Sequence, residues 1–121
     1  MSAYHDIYLR ELETRGEALA LVTELLGSDF KAVQGVTGLI AVSGRTAVDY
    51  FPDYHEMVDM IDLPFEAHPL SFRIRDMSSD KRREWLLAKR IYDALVESGH
   101  FSLFMVFNVA ELLESDVVPA R

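Results

Sequence analysis

Histidines and acidic side chains are the residues of this chain whose chemistry could serve catalysis or metal binding. The chain has four histidines, which are His5, His55, His68 and His100. None of them forms the HxxxH or HExxH spacing that places two metal ligands on one face of a helix. His55 and Glu56 lie beside Asp53 and Asp59, but these carboxylates lack the spacing of a calcium loop and the glycine at its bend. We therefore expect no metal, no cofactor and no catalytic residue.

The sequence also lacks the usual patterns of nucleophilic catalysis. It contains no cysteine, which excludes disulfides, thiolate zinc sites and thiol nucleophiles together. Ser43 precedes a glycine, but the G-x-S-x-G turn and the helix that follows it are missing. Asp6 and Asp49 fall in predicted strands, where they could form an acid pair. The interpretation that we favour is a charge on an edge strand or a salt bridge from these acids to Arg73 or Arg75.

The stretch Leu70–Phe107 is predicted to organise the rest of the chain as strand, helix and strand. Ser78, Ser79 and Asp80 offer side-chain oxygens that can cap a helix, and Gly99 stands where a left-handed residue would end it. Apolar residues recur between these positions at helical spacing. They are Leu87, Ala88, Ile91, Ala94 and Leu95.

The two strands of this stretch differ in their patterns. Residues 70–75 alternate between apolar and polar side chains, which predicts one buried face and one face in water. Residues 101–107 are apolar except for Ser102, which predicts a strand covered on both faces or one sealed against a partner. Strand, helix and strand in this order form a direct or split βαβ unit.

The N-terminal half repeats the order of strand and helix. Residues 4–9 alternate as a strand does, and Thr14 and Glu17 have the spacing of a capping box. The helix that follows has an apolar stripe ended by Gly27. Residues 36–42 and 46–51 are β-rich runs on either side of Gly44, which predicts a tight hairpin.

The least regular part is residues 52–69, which connect the two halves. This segment contains five acids, no lysine or arginine, and three prolines. Its apolar spacing fits either a short helix or an extended edge, and the sequence leaves that choice open. After Phe107, residues 109–114 fit a short helix, and residues 115–121 are typical of a fraying tail.

These elements predict a single α+β domain over residues 1–121. The order β-α-β-β-β-α-β favours a two-layer sandwich, with two helices on one face of a mostly antiparallel sheet in a ferredoxin-like arrangement. One core is expected to hold the apolar residues of both helices and the last strand. They are Leu21, Leu25, Leu87, Ile91, Leu95, Leu103 and Met105.

Composition and charge narrow the class of protein. The formal charge of −8 argues against nucleic-acid binding, because phosphate recognition needs clustered lysine and arginine. No apolar run approaches the roughly 20 residues of a membrane span, and the start MSAYHDIYLRELE does not resemble a signal peptide, so we expect a cytoplasmic protein. The charge is also divided. Residues 73–90 carry seven basic against three acidic residues, whereas the remainder carries five against seventeen.

Several stretches together resemble small immunity proteins of bacterial polymorphic-toxin systems. They are the strand AYHDIYLR, the helix EALALVTELLG, the strand FRIRD and the late AKRIYDALVESGHFSLFMVFN. The resemblance implies an acidic, non-enzymatic domain that binds a cognate toxin and blocks its active site. We place the partner-binding surface on the acidic segment because toxins that act on nucleic acid have basic clefts. Its residues are Asp53, Tyr54, Glu56, Asp59, Asp62, Phe65 and Glu66.

Two other functions remain open at this point. With one extra strand, the order of elements also resembles dimeric α+β barrel domains, some of which oxidise or isomerise small aromatic substrates. That function would need polar groups in a cavity between helices and sheet, and association of two copies would fit it. The candidates are His5, Asp6, Tyr8, Asp49 and Tyr50. The third function is a phage-encoded inhibitor of host defence, which would also act by binding a protein.

Overall fold

Seven strands and two helices make up the described part of the chain. The computed structural model describes residues 4–12, 17–35, 38–52, 64, 67–108 and 111–118. The elements in chain order are β1 (His5–Glu11), α1 (Ala18–Leu26), β2 (Lys31–Ala32), β3 (Leu39–Ser43), β4 (Thr46–Phe51), β5 (Leu70–Asp76), α2 (Lys81–Ser98), β6 (Phe101–Phe107) and β7 (Glu111–Asp116).

The strands form one antiparallel sheet in the order β2-β3-β4-β5-β1-β6-β7. Because β5 and β6 both pair antiparallel with β1, they run parallel to each other on its two sides. The unit β5-α2-β6 is therefore a split βαβ unit, with β1 inserted between its strands. The strands β4, β5, β1 and β6 with the two helices give the predicted ferredoxin-like arrangement, and the predicted α+β sandwich is confirmed.

Helix α2 begins and ends at the predicted residues. The side chain of Asp80 accepts a hydrogen bond from the backbone N–H of Arg83 at 3.0 Å, and Gly99 ends the helix with φ 74°. Ala88, Ile91 and Leu95 are fully buried on the predicted stripe, because residues three and four apart share one face of a helix. Neither described helix is both long and apolar enough to cross a bilayer.

The core lies between the helices and one face of the sheet. Ile91, Leu95, Leu103 and Met105 are fully buried in it, as predicted. The three remaining predicted residues pack against the same cluster and are partly buried. They are Leu21, Leu25 and Leu87. The sheet contributes further buried residues from its central strands, which are Ile7, Leu9, Phe72 and Ile74.

The C-terminal prediction is wrong. Residues 111–116 form β7, which pairs antiparallel with β6 and continues through a register shift at Met105 and Val106. A strand forms here because β6 would otherwise present a row of unpaired backbone groups at the sheet edge. The expected fraying of residues 115–121 is also wrong for residues 115–118. The backbone N–H of Val118 donates a hydrogen bond to Ser102 Oγ, and its carbonyl oxygen accepts one from Arg10.

Two smaller differences and one confirmation concern the N-terminal half. Glu17 lies at the N-cap of α1 in a left-handed conformation with φ 50°, so it is not inside the helix as the capping-box prediction required. The helix begins at Ala18, the first buried residue of the apolar stripe, and Thr14 lies outside the described residues. Strand β2 was not predicted, because its two residues are too few to show a pattern. The hairpin at Gly44 is confirmed.

Candidate functional site

The acidic segment proposed as the partner-binding surface lies outside the described residues. This applies to Asp53, Tyr54, Glu56, Asp59, Asp62, Phe65 and Glu66, and to the histidine at position 55. The structure does describe where the segment leaves and rejoins the sheet. Strand β4 ends at Phe51, whose register partner is Ser71 near the start of β5. Both ends of the segment therefore lie at the same end of the sheet.

The sheet face opposite the helices carries two ion pairs, whose acids are nearly buried and whose arginines are partly exposed. Arg73 Nε lies 2.9 Å from Asp6 Oδ1, and Arg75 binds both carboxylate oxygens of Asp49 at 2.7 and 3.0 Å. Of the two interpretations that the sequence favoured over an acid pair, the salt bridge is therefore correct and the edge-strand charge is wrong, since β1, β4 and β5 lie inside the sheet. Burial raises the pKa of Asp6 above its ordinary value, although the hydrogen bond from Arg73 opposes the rise.

Three further cations of residues 73–90 are also engaged within the fold. Arg83 Nε lies 2.6 Å from Asp76 Oδ1, and Lys81 Nζ lies 3.3 Å from Glu84 Oε1. Three groups meet between α2 and β7, where the ammonium of Lys89 contacts Asp93 at 3.0 Å and Glu114 at 2.9 Å. With Arg73 and Arg75, five of the seven cations in this region have an acidic partner.

A histidine and a glutamate form a buried pair beneath the first turn of α2. His5 Nδ1 lies 2.5 Å from Glu84 Oε2, and the glutamate side chain is fully buried. The other carboxylate oxygen, Oε1, accepts the backbone N–H of Asp76 at 3.0 Å and faces Lys81. Three donors thus converge on one carboxylate, which compensates for its loss of water.

The His5 ring also forms part of a shallow groove of about 280 Å³ beside this pair. Trp85 lies on one side of the ring with centroids 5.7 Å apart, and Phe107 lies on another at 4.8 Å. Lys81, Glu111 and Leu113 complete the lining. The groove is mostly apolar and has polar groups at a few points, the usual composition of a small-ligand site.

A second histidine has a structural role on the opposite face of the sheet. His68 is buried, with Nδ1 2.8 Å from the carbonyl oxygen of Pro64 and Nε2 2.8 Å from Ser102 Oγ. Its ring packs edge-on against Phe104, which in turn stacks on Tyr8. These contacts attach the end of the 52–69 connection to β6, and they place His68 away from the His5 groove.

The residues required for an enzyme of the dimeric barrel type are divided between the two sides of the sheet. His5 and Tyr50 lie on the helix side, whereas Asp6, Tyr8 and Asp49 lie on the opposite face, as the pairing registers show. Tyr50 packs against Phe72 with ring centroids 4.9 Å apart. The five residues therefore do not converge on one cavity between helices and sheet.

The described ranges contain no group of three or more histidine and acidic side chains placed to hold a metal ion. Comparison with protein-family models, curated proteins and solved structures found no match. The site is therefore defined by the geometry of this chain alone.

The sequence prediction missed the pair of His5 and Glu84. A signal was present, because Glu84 shares the helical stripe of Ala88, Ile91 and Leu95 at a spacing of four, seven and eleven residues. An acid on an apolar stripe predicts a buried partner. The identity of that partner depended on the order of strands in the sheet, which the sequence did not specify.

Proposed function

We propose that this protein is an acidic protein-binding domain of the immunity type, which binds a basic partner through the 53–66 segment and blocks the partner's active site. The observation that supports the proposal is the pairing of the cations of residues 73–90 within the fold. Since five of the seven basic residues of this region are paired with acids, the region offers only a small basic surface against the overall charge of −8.

The acids of the segment supply the charge that such a partner would recognise. Asp53, Glu56, Asp59, Asp62 and Glu66 occur without a single lysine or arginine between them. Charge of one sign speeds encounter with a surface of the opposite sign, and the gain falls as salt is raised. Tyr54 and Phe65 are the residues of the segment that could provide buried anchors, because aromatic side chains dominate the binding energy of many interfaces.

The test is charge reversal of the segment against a matched control. The test variant replaces Asp53, Glu56, Asp59 and Asp62 by lysine. The control replaces by lysine Glu11, Glu24, Asp29 and Glu97, which are exposed acids in the described part of the chain, and changes the net charge by the same amount. The assay uses the product of the neighbouring gene as the candidate toxin. Association rates are measured at low and high salt, together with rescue of growth when that product is expressed.

We expect the test variant to lose rescue and to associate at least tenfold more slowly at low salt, because steering depends on the sign and place of the charge. The control should keep rescue and most of its association rate. Equal slowing of both variants would mean that net charge alone matters. An unchanged rate and salt dependence in the test variant would reject the segment as the interface.

A further inference from the structure

The two edges of the described sheet differ in charge. The sheet ends at β2 on one side and at β7 on the other, and each of these strands pairs with one described neighbour. The outward backbone groups of such a strand can pair with a further strand. The charged residues of β7 are all acids, which are Glu111, Glu114 and Asp116. Pairing of β7 with β7 of a second copy would bring acids together without a cation in the strand, which is unfavourable.

The β2 edge carries one charge of each sign and exposed apolar surface. Asp29 and Lys31 are exposed, and neither forms an ion pair with another residue in the described ranges. Phe30 between them packs on the helix side of the sheet. Asp29 and Lys31 lie on the opposite face, where they line a shallow groove of about 330 Å³ together with Ile40 and Val42. Val42 is 47% exposed.

Symmetry limits how two such edges can pair. A two-fold axis perpendicular to the sheet keeps the helices of both copies on one side, so directly opposite residues must share a face. Antiparallel registers centred on Asp29 or on Lys31 oppose like charges, and a register centred on Ala32 leaves both charges without an opposite partner. The register centred on Phe30 places Asp29 of each copy opposite Lys31 of the other. Charge attraction then occurs twice across the axis.

We propose that two copies of this chain pair antiparallel through β2 in this register and form a symmetric dimer with one continuous sheet. A lysine on an edge strand commonly prevents such pairing, but the acid opposite it removes that obstacle. Phe30, which is partly buried, lies at the axis and meets Phe30 of the second copy. The aliphatic stem of each Lys31 lies near the exposed Val42 of the other copy.

The dimer does not depend on the proposed function, because each chain keeps its own acidic segment. Sedimentation velocity of the full chain from about 5 µM to about 1 mM detects association. The salt concentration is about 0.15 M, where a screening length of about 8 Å weakens repulsion between distant acids more than it weakens contact pairs. We expect a Kd of about 10–500 µM, because the short edge buries less surface than a standard interface. A chain that stays monomeric at about 1 mM would overturn the proposal.

Charge reversal at the edge tests the register. Asp29→Lys and Lys31→Asp each place like charges opposite one another at two symmetry-related points, and each should weaken association at least about tenfold. The variant that combines both substitutions has the net charge of the parent and should associate as the parent does. Glu97→Lys and Arg90→Glu are the matched controls, since they change the net charge by the same amounts at exposed positions of α2. Each should leave the Kd within about twofold.

A mixture of the two single variants separates the proposed contact from general charge effects. One variant carries two lysines at the edge and the other carries two acids, so antiparallel pairing restores both contacts. An equimolar mixture should therefore form a heterodimer at concentrations where neither variant associates alone. Equal losses in Asp29→Lys and Glu97→Lys would reduce the effect to net charge and overturn the proposal. A mixture or a combined variant as weak as the single variants would show that Asp29 and Lys31 do not face each other, and would also overturn it.

Discussion

Asp76 connects the end of β5 to the beginning of α2. Its Oδ2 accepts the backbone N–H groups of Ser78 at 2.9 Å and Asp80 at 2.8 Å, and both oxygens bind the Arg83 guanidinium. The hydrogen bonds from Arg83 hold the pKa of Asp76 well below its ordinary value of 3.8, and those from the backbone of Asp80 and Ser78 act in the same direction. Partial desolvation opposes this shift but does not reverse it.

The stability of the protein should therefore fall in acid partly through Asp76. A carboxyl whose folded pKa is lowered stabilises the fold above its unfolded value of 3.8, and the contribution is lost as pH falls towards the folded value. We expect Asp76→Asn to be less stable than the parent at pH 7 and to lose less stability between pH 5 and pH 3. Urea unfolding across this range measures how the unfolding free energy of each protein changes with pH. Parallel slopes for the two proteins would show that Asp76 does not contribute to the acid dependence.

The sequence indicated the charged contacts between strand residues but missed the contact of Glu84, because local patterns do not encode partners that are far apart in the chain. A salt bridge from Asp6 or Asp49 to Arg73 or Arg75 could be named in advance because all four fall in predicted strands, where side chains on neighbouring strands meet. The partner of Glu84 is His5, which is 79 residues away, and no local pattern encodes that distance. The acidic segment was chosen from composition alone, and its position is a prediction still to be tested.

Helix α2 offers a matched comparison between a buried and an exposed apolar residue. Ile91 is fully buried in the core, whereas Leu86 on the same helix is 53% exposed. We expect Ile91→Ala to cost about 2–5 kcal/mol of unfolding free energy, because it leaves a cavity among packed side chains. Leu86→Ala should cost less than about 0.5 kcal/mol.

Urea melts of both variants with the parent measure these differences. Similar small losses in the two would show that α2 does not pack on the sheet through the Ile91 face. Similar large losses would show instead that Leu86 is covered, for instance by a second copy of the chain, and a concentration series would then detect association.

Elements with strong local signals were predictable, and elements fixed by their neighbours were not. Helix α2 has a cap, a stripe and a terminal glycine, so its bounds follow from the sequence. Strand β7 contains Glu111, Glu114 and Asp116 and has no apolar alternation, yet it pairs along β6. Contacts from α2 help to hold it there, because Tyr92 donates a hydrogen bond to Asp116 and Lys89 contacts Glu114.

Because of the net charge of the whole molecule, we expect its stability to rise with salt concentration. The acids of several ion pairs are shielded from solvent, with side-chain exposures of 3% for Asp6 and 11% for Asp49. Salt weakens such pairs less than it weakens repulsion between exposed acids, which dominates at a net charge of −8.

Raising sodium chloride from about 0.01 to about 1 M shortens the screening length from about 30 to about 3 Å. We expect the Tm at pH 7 to rise over this range by several degrees. Near the sequence pI of about 4.8 the net repulsion vanishes, so the same salt series should give little increase. A Tm that falls steadily with salt at pH 7 would show that the ion pairs outweigh the repulsion.

The central position of β1 has a consequence for biosynthesis. The strand that lies in the middle of the sheet is made first, and its two neighbours, β5 and β6, follow roughly 60 to 100 residues later. At about 5–20 residues per second, that interval is roughly 3–20 s. During this time both backbone edges of β1 lack their partners, and Ile7 and Leu9 lack their core. The nascent chain thus exposes an aggregation-prone strand that a cell's chaperones would have to protect until translation reaches the C-terminal half.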